Sequence, residues 1–594
     1  MPATPISDEY RRRRDRRRTQ ADAAERRAAA ISWARVVAFF LLVASIWLEA
    51  SHRAPALVVA LPAVGFVALL IWHDRAFRAR ERARRAMRYW ELGLGRMEER
   101  WMGEGPDGAR FLDENHPYAR DLDLFGRGSL FQLMCTARTR AGEETLARWL
   151  LNPAGADEVR ARQAAVAELR DKLDLREALA LAGEDLRAEV DPARLAAWAV
   201  APPTLTSLVQ WLIILALSLA VGVIVVGWMA GWGLTPLAVA LFVPAVVSRL
   251  YRHRVNASRA GVDRPGRDLL VLALVVQLFE RETFQSARLK QLAARLASQG
   301  EPASRRIAQL SRLVDLANAQ RNQFFAPIGW VLMWPVHFAF AVERWRMRFG
   351  RDVACWLEVL GELEALAALG GYACERPDEP FPEIRDGAAQ LDGVALGHPL
   401  LPREHCVRND LGLGGDTRVL LVSGSNMSGK STMLRTAGIN VVLALAGAPV
   451  RATSLVLTPL QVGATLRIQD SLAEGASRFY AEITRLKLLV DLSQKTPPLL
   501  FLLDEILAGT NSHDRRIGAE AVVRGLVDRG ALGLVTTHDL ALAEMAATLP
   551  GQARNVHFED RIVDGRLHFD YRMREGVVQH SNAIALMRAV GLDV

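Results

Sequence analysis

Arg418-Val-Leu-Leu-Val-Ser-Gly-Ser-Asn-Met-Ser-Gly-Lys-Ser-Thr432 runs from an apolar, β-branched stretch through a glycine-rich loop into Met433-Leu-Arg-Thr436. Val419–Ser423 reads as a buried strand and the residues after Lys430 as a helix. Between them lies G-x-x-x-x-G-K-S, with strand before and helix after as a phosphate-binding loop requires. In such a loop the backbone of Gly424, Ser425, Asn426, Met427, Ser428, Gly429, Lys430, Ser431 and Thr432 curls round a β-phosphate. Lys430 then reaches the β/γ oxygens, and the Ser431 hydroxyl ligates Mg²⁺ at the helix N-terminus. A second apolar run, Leu499–Leu503, ends in Asp504-Glu505, 74 residues beyond Lys430. Asp504 is placed to hold Mg²⁺ through water and Glu505 to polarise an attacking water. A third run, Leu532–Thr537, delivers His538 to the same C-terminal edge of the sheet, close to where a γ-phosphate would lie. The expected cofactors are therefore ATP and Mg²⁺.

Outward from this loop the texture changes. From about residue 385 short β-rich runs alternate with helical patterns, which predicts a mostly parallel sheet. Residues 100–194 and 255–370 are instead Ala-, Leu- and Arg-rich with apolar positions at helical spacing. The chain has 594 residues, 51% of them hydrophobic and 24% charged. A mean hydropathy of +0.09 beside that charge means that the apolar residues come in blocks, and it excludes a disordered protein. Four cysteines without a CxxC pair exclude a disulfide framework or a zinc ribbon and point to a reducing compartment.

Two blocks predict membrane hairpins. Ile31–Trp72 divides into two stretches, each near the ~20 residues that cross a ~30 Å hydrocarbon core. Leu195–Ser248 carries no charged residue over 54 positions and reads as spans at about Leu205–Val226 and Leu234–Val247, with a turn near Gly231. A secretory signal fits the first block poorly, because its basic leader is about 30 residues long and a second apolar span comes at once after it. Phe324–Val342, broken by Pro327 and Pro335, reads as a buried helix pair. Residues 1–30 hold nine arginines against five acids and residues 75–100 nine against four, which accounts for the net charge of +8. Arg249, Arg252 and Arg254 come after the second block. By the positive-inside rule the soluble segments face the cytoplasm of a bacterial-type inner membrane, with a lipid bilayer as one partner.

The motifs resemble the ATPase domain of the MutS proteins, the DNA mismatch-repair family within the ABC-type ATPases. Besides residues 424–432, the matching runs are Arg467-Ile, Asp470-Ser-Leu-Ala-Glu-Gly-Ala-Ser477-Arg-Phe-Tyr-Ala-Glu482, Leu503 to Asp514, Thr536-Thr-His538, His398-Pro-Leu400 and Ser581-Asn-Ala-Ile to Leu592. The likeness is strong over residues 390–594 and weaker through Asp121-Leu-Asp-Leu-Phe-Gly126 and Thr139-Arg-Ala-Gly142. It implies a homodimer with composite ATP sites, in which Ser477 reaches the nucleotide of the opposite subunit. Ser477 reads equally well as the N-cap of the next helix. The sequence departs from the family in having Ser425 and Ser428 where Pro and Gly are usual. A basic leader and membrane hairpin stand where a mismatch-reading module is expected, and the chain reaches Val594 without dimerisation helices.

The expected organisation is a basic leader (1–30), a transmembrane hairpin (31–74), an all-α MutS-like core (75–204), a second hairpin (205–249), the rest of the core or lever (250–389) and an α/β P-loop, ABC-type ATPase domain (390–594). The expected function is a membrane-anchored, Mg-dependent ATPase that works as an ATP-driven clamp. It would bind double-stranded DNA non-specifically and without sensing mismatches. Two alternatives are an ABC-type transport ATPase and an ATP-gated membrane scaffold. The first lacks an LSGGQ-type signature, and four spans are few for a transport pathway.

Overall fold

The computed structural model describes residues 5–53, 55, 57–182, 191–259, 266–298, 300–319, 325–467, 478–538, 543–563 and 566–578. The chain forms two compact units: Met1–Trp101 with Leu173–Asp185, and Met102–Lys172 with Leu186–Val594.

In the first unit two long helices, α1 (Pro5–Ala50) and α2 (Leu57–Met97), form a hairpin. The basic leader and the first apolar stretch are thus one uninterrupted helix. At its basic end Tyr10 is buried edge-on against Trp90, with ring centroids 4.8 Å apart. Arg13 pairs with Asp174 at 2.5 Å, Arg84 with Glu25 at 2.9 Å, and Arg17 makes a two-pronged contact with Glu177, both bonds 2.7 Å. The apolar ends pack differently. Trp33 is 73% exposed and Leu61 81%, and leaving such side chains in water forfeits ~25 cal/mol per Å² of burial. Both helices are long and apolar enough to cross a membrane.

The second unit includes α3 (Arg140–Leu151), capped by the Thr139 hydroxyl on Gly142 N–H, and α4 (Ala156–Asp171). Next come α5 (Leu208–Met229) and α6 (Leu234–Arg259), the other two helices with the length and composition of membrane spans. After them come α7 (Gly266–Arg281), α8 (Ala303–Asn318), the short α9 (Ala326–Val331) and α10 (Trp334–Glu375). Pro327 and Pro335 open the last two helices, and between them Met333 takes a left-handed conformation, φ 49°. Phe325–Val342 is therefore a helix pair as its sequence suggests, but Ile328 and Trp330 remain exposed rather than buried.

Beyond α10 the chain builds two sheets. β1 (Glu383–Ile384), β2 (Leu391–Leu396), β3 (Asn409–Leu413) and β5 (Ser454–Leu457) form a small sheet in the order β1-β5-β2-β3, which the sequence reading did not resolve. The larger sheet contains β4 (Val419–Ser423), β6 (Gln461–Thr465), β7 (Leu499–Leu503), β8 (Leu532–Thr537), β9 (Ala553–Val563) and β10 (Arg566–Glu575) in the order β10-β9-β4-β8-β7-β6. All its neighbours run parallel except the β9–β10 hairpin. Every residue of β4, β7 and β8 is buried, as helices on both faces of a parallel sheet demand. These three strands occupy the residues at which they were read from the sequence. Helices α11 (Lys430–Ala446), α12 (Arg478–Leu492) and α13 (Ser512–Asp528) come after β4, β6 and the β7 loop. Leu486, Leu489, Val523 and Leu526 pack on Leu499, Phe501 and Val535 to close one face. Strands β4, β7 and β8 therefore end side by side, and the loops that leave them converge on one edge of the sheet.

Candidate functional site

At that edge the chain leaves β4 and turns through Gly424 (φ 145°), Met427 (φ 67°) and Gly429 (φ 108°) before α11 begins. A Cβ at Gly424 would sit 2.8 Å from the Phe558 carbonyl oxygen and 2.9 Å from Ser428 Oγ, and one at Gly429 would sit 3.2 Å from the Tyr571 ring. Dihedral angle and space both call for glycine there. Asn426 and Met427 form the exposed crest and Ser431 is half-buried one residue into α11. Thr432 is exposed, its carbonyl accepting from Thr436 Oγ1 at 2.7 Å. Lys430 is buried, with Nζ donating to the carbonyls of Gly424 and Ser425, each at 2.8 Å. Burial pushes its ammonium pKa below the ordinary lysine range, while Glu505 and Asp504 pull it back up. The hydroxyls of Ser425 and Ser428 are buried without a hydrogen-bond partner among the described residues. The loop is a cradle with polar groups to spare, set at a helix N-terminus whose first amides have no partner within the helix.

Asp504 and Glu505 come directly after β7. Thr536, on neighbouring β8, ties them together: its hydroxyl donates to Asp504 Oδ1 and accepts from Glu505 N–H at 2.9 Å. Asp504 N–H donates to the Thr465 carbonyl at 3.2 Å. Glu505 and Leu507 hold left-handed φ values of 51° and 55°, an uncommon conformation for side chains of this size. The loop beyond them is clasped from two sides. Buried Glu482 of α12 accepts from Leu507 N–H, and Arg515 of α13 donates to the carbonyls of Leu507 (3.1 Å), Ala508 (3.0 Å) and Thr510 (3.3 Å). His538 is half-exposed beyond β8, with Nδ1 3.5 Å from Glu505 Oε1. Lys430, Asp504, Glu505 and His538, far apart in sequence, thus meet at one sheet edge.

The sequence reading assigned no role to Thr536, Glu482 or Arg515, although Thr536 and Glu482 stand in the runs that were singled out. A hydroxyl or carboxylate has no periodicity to betray a long-range hydrogen bond. Asp121 was read only as part of a weak likeness. It accepts from Leu466 N–H (3.0 Å), Arg467 N–H (2.8 Å) and the Arg485 guanidinium (3.1 Å), and Asp123 pairs with Arg467 at 2.7 Å. The helical region is fastened in this way to the end of β6 and to α12. Ser477, and the runs 468–477 and 579–594 that carry much of the likeness, lie outside the described residues.

Among the described residues, no three His, Cys, Asp or Glu side chains converge as a metal cage. The residues read from the sequence as Mg²⁺ ligands offer one carboxylate, Asp504, and one hydroxyl, Ser431. That set fits a hard cation which takes its other ligands from phosphate and water.

Comparison with known proteins agrees with this geometry. Residues 420–593 match the family model described as MutS domain V. The DNA mismatch repair protein MutS of Shouchella clausii is 33% identical over 239 residues, 40% of this chain and 26% of that protein. Endonuclease MutS2 of Thermus thermophilus is 34% identical over 196 residues, 33% of this chain and 25% of that protein. The DNA mismatch repair protein MSH3 of Coccidioides immitis is 34% identical over 250 residues, 40% of this chain and 21% of that protein. The chain thus spans about a quarter of the length of the curated relatives it matches. The domain built on this sheet, residues 420–593, is thus a MutS domain V.

Proposed function

We propose that the protein is a membrane-anchored, Mg²⁺-dependent ATPase of MutS type whose nucleotide cycle drives a helical clamp on duplex DNA. The observation that carries the reading is the meeting of Lys430, Asp504, Glu505 and His538 at one sheet edge, with Thr536 fixing both acids to the neighbouring strand. The residues of the loop would bind the triphosphate, Lys430 facing the β/γ oxygens and the α11 amides the β-phosphate. Ser431 and Asp504 would hold Mg²⁺, which when bound neutralises charge on the phosphate oxygens. Glu505 accepts a proton from a water held in line, and His538 beside it orients that carboxylate.

The likeness further supports a homodimer in which the segment around Ser477 completes the partner's site. The relatives are named as DNA mismatch repair proteins, which supports DNA as the clamp's ligand. The region in which a mismatch-reading module is expected is instead taken up by the long helices α1 and α2, so binding is proposed to be non-specific and mismatch-blind. Four apolar helices flanked by arginine-rich segments support an inner-membrane location with the ATPase facing the cytoplasm.

The test is ATP turnover by the detergent-solubilised full chain with and without duplex DNA. Glu505→Gln is expected to retain nucleotide and slow turnover by ~10²-fold or more, the usual contribution of a general base. Lys430→Ala is expected to lose nucleotide binding. Matched and mismatched duplexes should stimulate wild type alike. Full turnover in Glu505→Gln, or a mismatch preference above about tenfold, ~1.4 kcal/mol, would overturn the reading.

A further inference from the structure

Helix α9 and the turn after it sit against the second apolar hairpin. Met333, Val336 and Phe340 share one buried cluster with Ile214 of α5 and with Val247 and Val255 of α6. Ser218 Oγ of α5 lies 3.2 Å from the Leu332 carbonyl oxygen and 2.9 Å from His337 Nε2. These contacts fix the level of α9 along the hairpin. On α6 the same cluster takes in Val247 and Val255, which stand on either side of the passage from an uncharged stretch, Leu234–Ser248, into Arg249-Leu-Tyr-Arg-His-Arg254.

The lengths above that level are short. From Ser218 to the end of α5 are twelve residues and from the start of α6 to Ser248 fifteen, which rise only about 18 and 22 Å. A hydrocarbon core is about 30 Å thick. If the turn at Gly231 reaches the far surface, about 10 Å of the near leaflet remains to be met at the level of α9 and the first turns of α5. The side chains there are suited to it. Ile328 is 54% exposed and Trp330 40%, and Leu208, Val209, Leu212 and Ile213 of α5 are exposed as well. Residues 325–342 carry no Asp, Glu, Lys or Arg. On α6 Arg249, Arg252 and Arg254 are exposed; among the described residues none of the three is ion-paired, and Arg254 lies over the Tyr251 ring. An apolar step with a tryptophan, bordered by exposed arginines, has the composition of the headgroup–acyl boundary.

We infer that Phe325–Met333 is an interfacial membrane element, seated in the cytoplasmic leaflet beside an arginine cluster that recruits anionic lipid headgroups. The inference rests on the membrane reading of α5 and α6 and extends it to a segment too short to span. Its partner is the anionic lipid surface rather than a protein, because the apolar step is continuous with the spans and the three exposed arginines outnumber the one exposed acid beside it, Asp315, which adjoins the Leu316 carbonyl that accepts from Trp334.

The experiment uses the full chain with Cys355 and Cys406 changed to serine, reconstituted in mixed phosphatidylcholine–phosphatidylglycerol vesicles. An environment-sensitive fluorophore is placed in turn at Trp330→Cys, at Leu219→Cys as the bilayer reference, and at Asp416→Cys, in the turn after β3, as the aqueous reference. Quenching by brominated lipid is expected at 330 as at 219 and absent at 416. Brominated phosphatidylglycerol should quench at 330 about fivefold more effectively than brominated phosphatidylcholine, the ~1 kcal/mol that one surface arginine contributes. Changing Arg249, Arg252 and Arg254 to glutamine should abolish that preference. A label at 330 that behaves like 416 while 219 is quenched overturns the inference alone, and equal quenching by the two lipids overturns the headgroup role. An unquenched label at 219 overturns the membrane reading itself, and the inference with it.

Discussion

Glu364 shows how far a single residue can depart from what its letter suggests. It sits in α10, fully buried, and its carboxylate accepts from the backbone N–H of Arg138 (2.9 Å) and Thr139 (3.2 Å) and from the Thr139 hydroxyl. Burial pushes its pKa up to about 7, against the pull of the Thr139 hydroxyl and the two amides. A carboxyl that holds its proton more tightly folded than unfolded contributes stability that is complete below the unfolded pKa of about 4.3. That contribution is lost as pH rises through 7. Wild type should therefore lose thermal stability between about pH 4.5 and 7 by an amount that Glu364→Gln does not. Tm against pH for the two proteins is the measurement, and parallel curves would sink the assignment. At this scale the sequence was legible where chemistry demands a fixed spacing, as in Gly424, Gly429 and Lys430. It was silent on Glu364 and Thr536, whose partners lie on other elements.

Among the elements, α10 has the most demanding fit. At 42 residues it extends about 63 Å, and neighbouring backbones close on it at its glycines. A Cβ at Gly350 would lie 2.1 Å from the Ala199 carbonyl oxygen, and one at Gly361 would lie 2.6 Å from that of Ala141. An alanine in a helix interior gains about 1 kcal/mol over glycine, but overpacking against backbone that cannot swing aside costs typically 1–3 kcal/mol. Gly361→Ala should therefore be net destabilising by up to about 2 kcal/mol, seen as a lower Tm with the loop around Lys430 unchanged. An unchanged or raised Tm would mean that α3 can withdraw from α10. Periodicity announced a helix here, but the distance at which α3 crosses it is a property of the packed pair.

For the molecule as a whole, the charge pattern makes a statement about orientation. Arginines crowd both sides of the first apolar hairpin and come after the second, so the turn between α5 and α6 should lie on the side opposite the β4–β10 sheet. Gly231 itself has φ 97° and suits no side chain, so the better probe is exposed Ala230 beside it. In whole cells a membrane-impermeant thiol reagent should label Ala230→Cys directly and Asp416→Cys only after permeabilisation. The reverse pattern would invert the topology.

Strands β4, β7 and β8, the phosphate-type loop and the apolar stretches were determined by the sequence itself. Each rests on a local property: an unbroken apolar run, glycines where no Cβ fits, or a stretch without charge long enough to cross a membrane. The tertiary structure alone decided the rest. The small sheet β1-β5-β2-β3 pairs strands of two to six residues whose individual signals are too weak to read. Asp121 reaches Leu466 across 345 positions, and Thr536 joins the two acids only because β8 lies against β7. The level of α9 along the second hairpin depends on a hydrogen bond between Ser218 and His337, 119 residues apart. Local sequence carries the preference of a segment for its own conformation, whereas the partner of a lone polar side chain is chosen by where the fold brings distant backbones together.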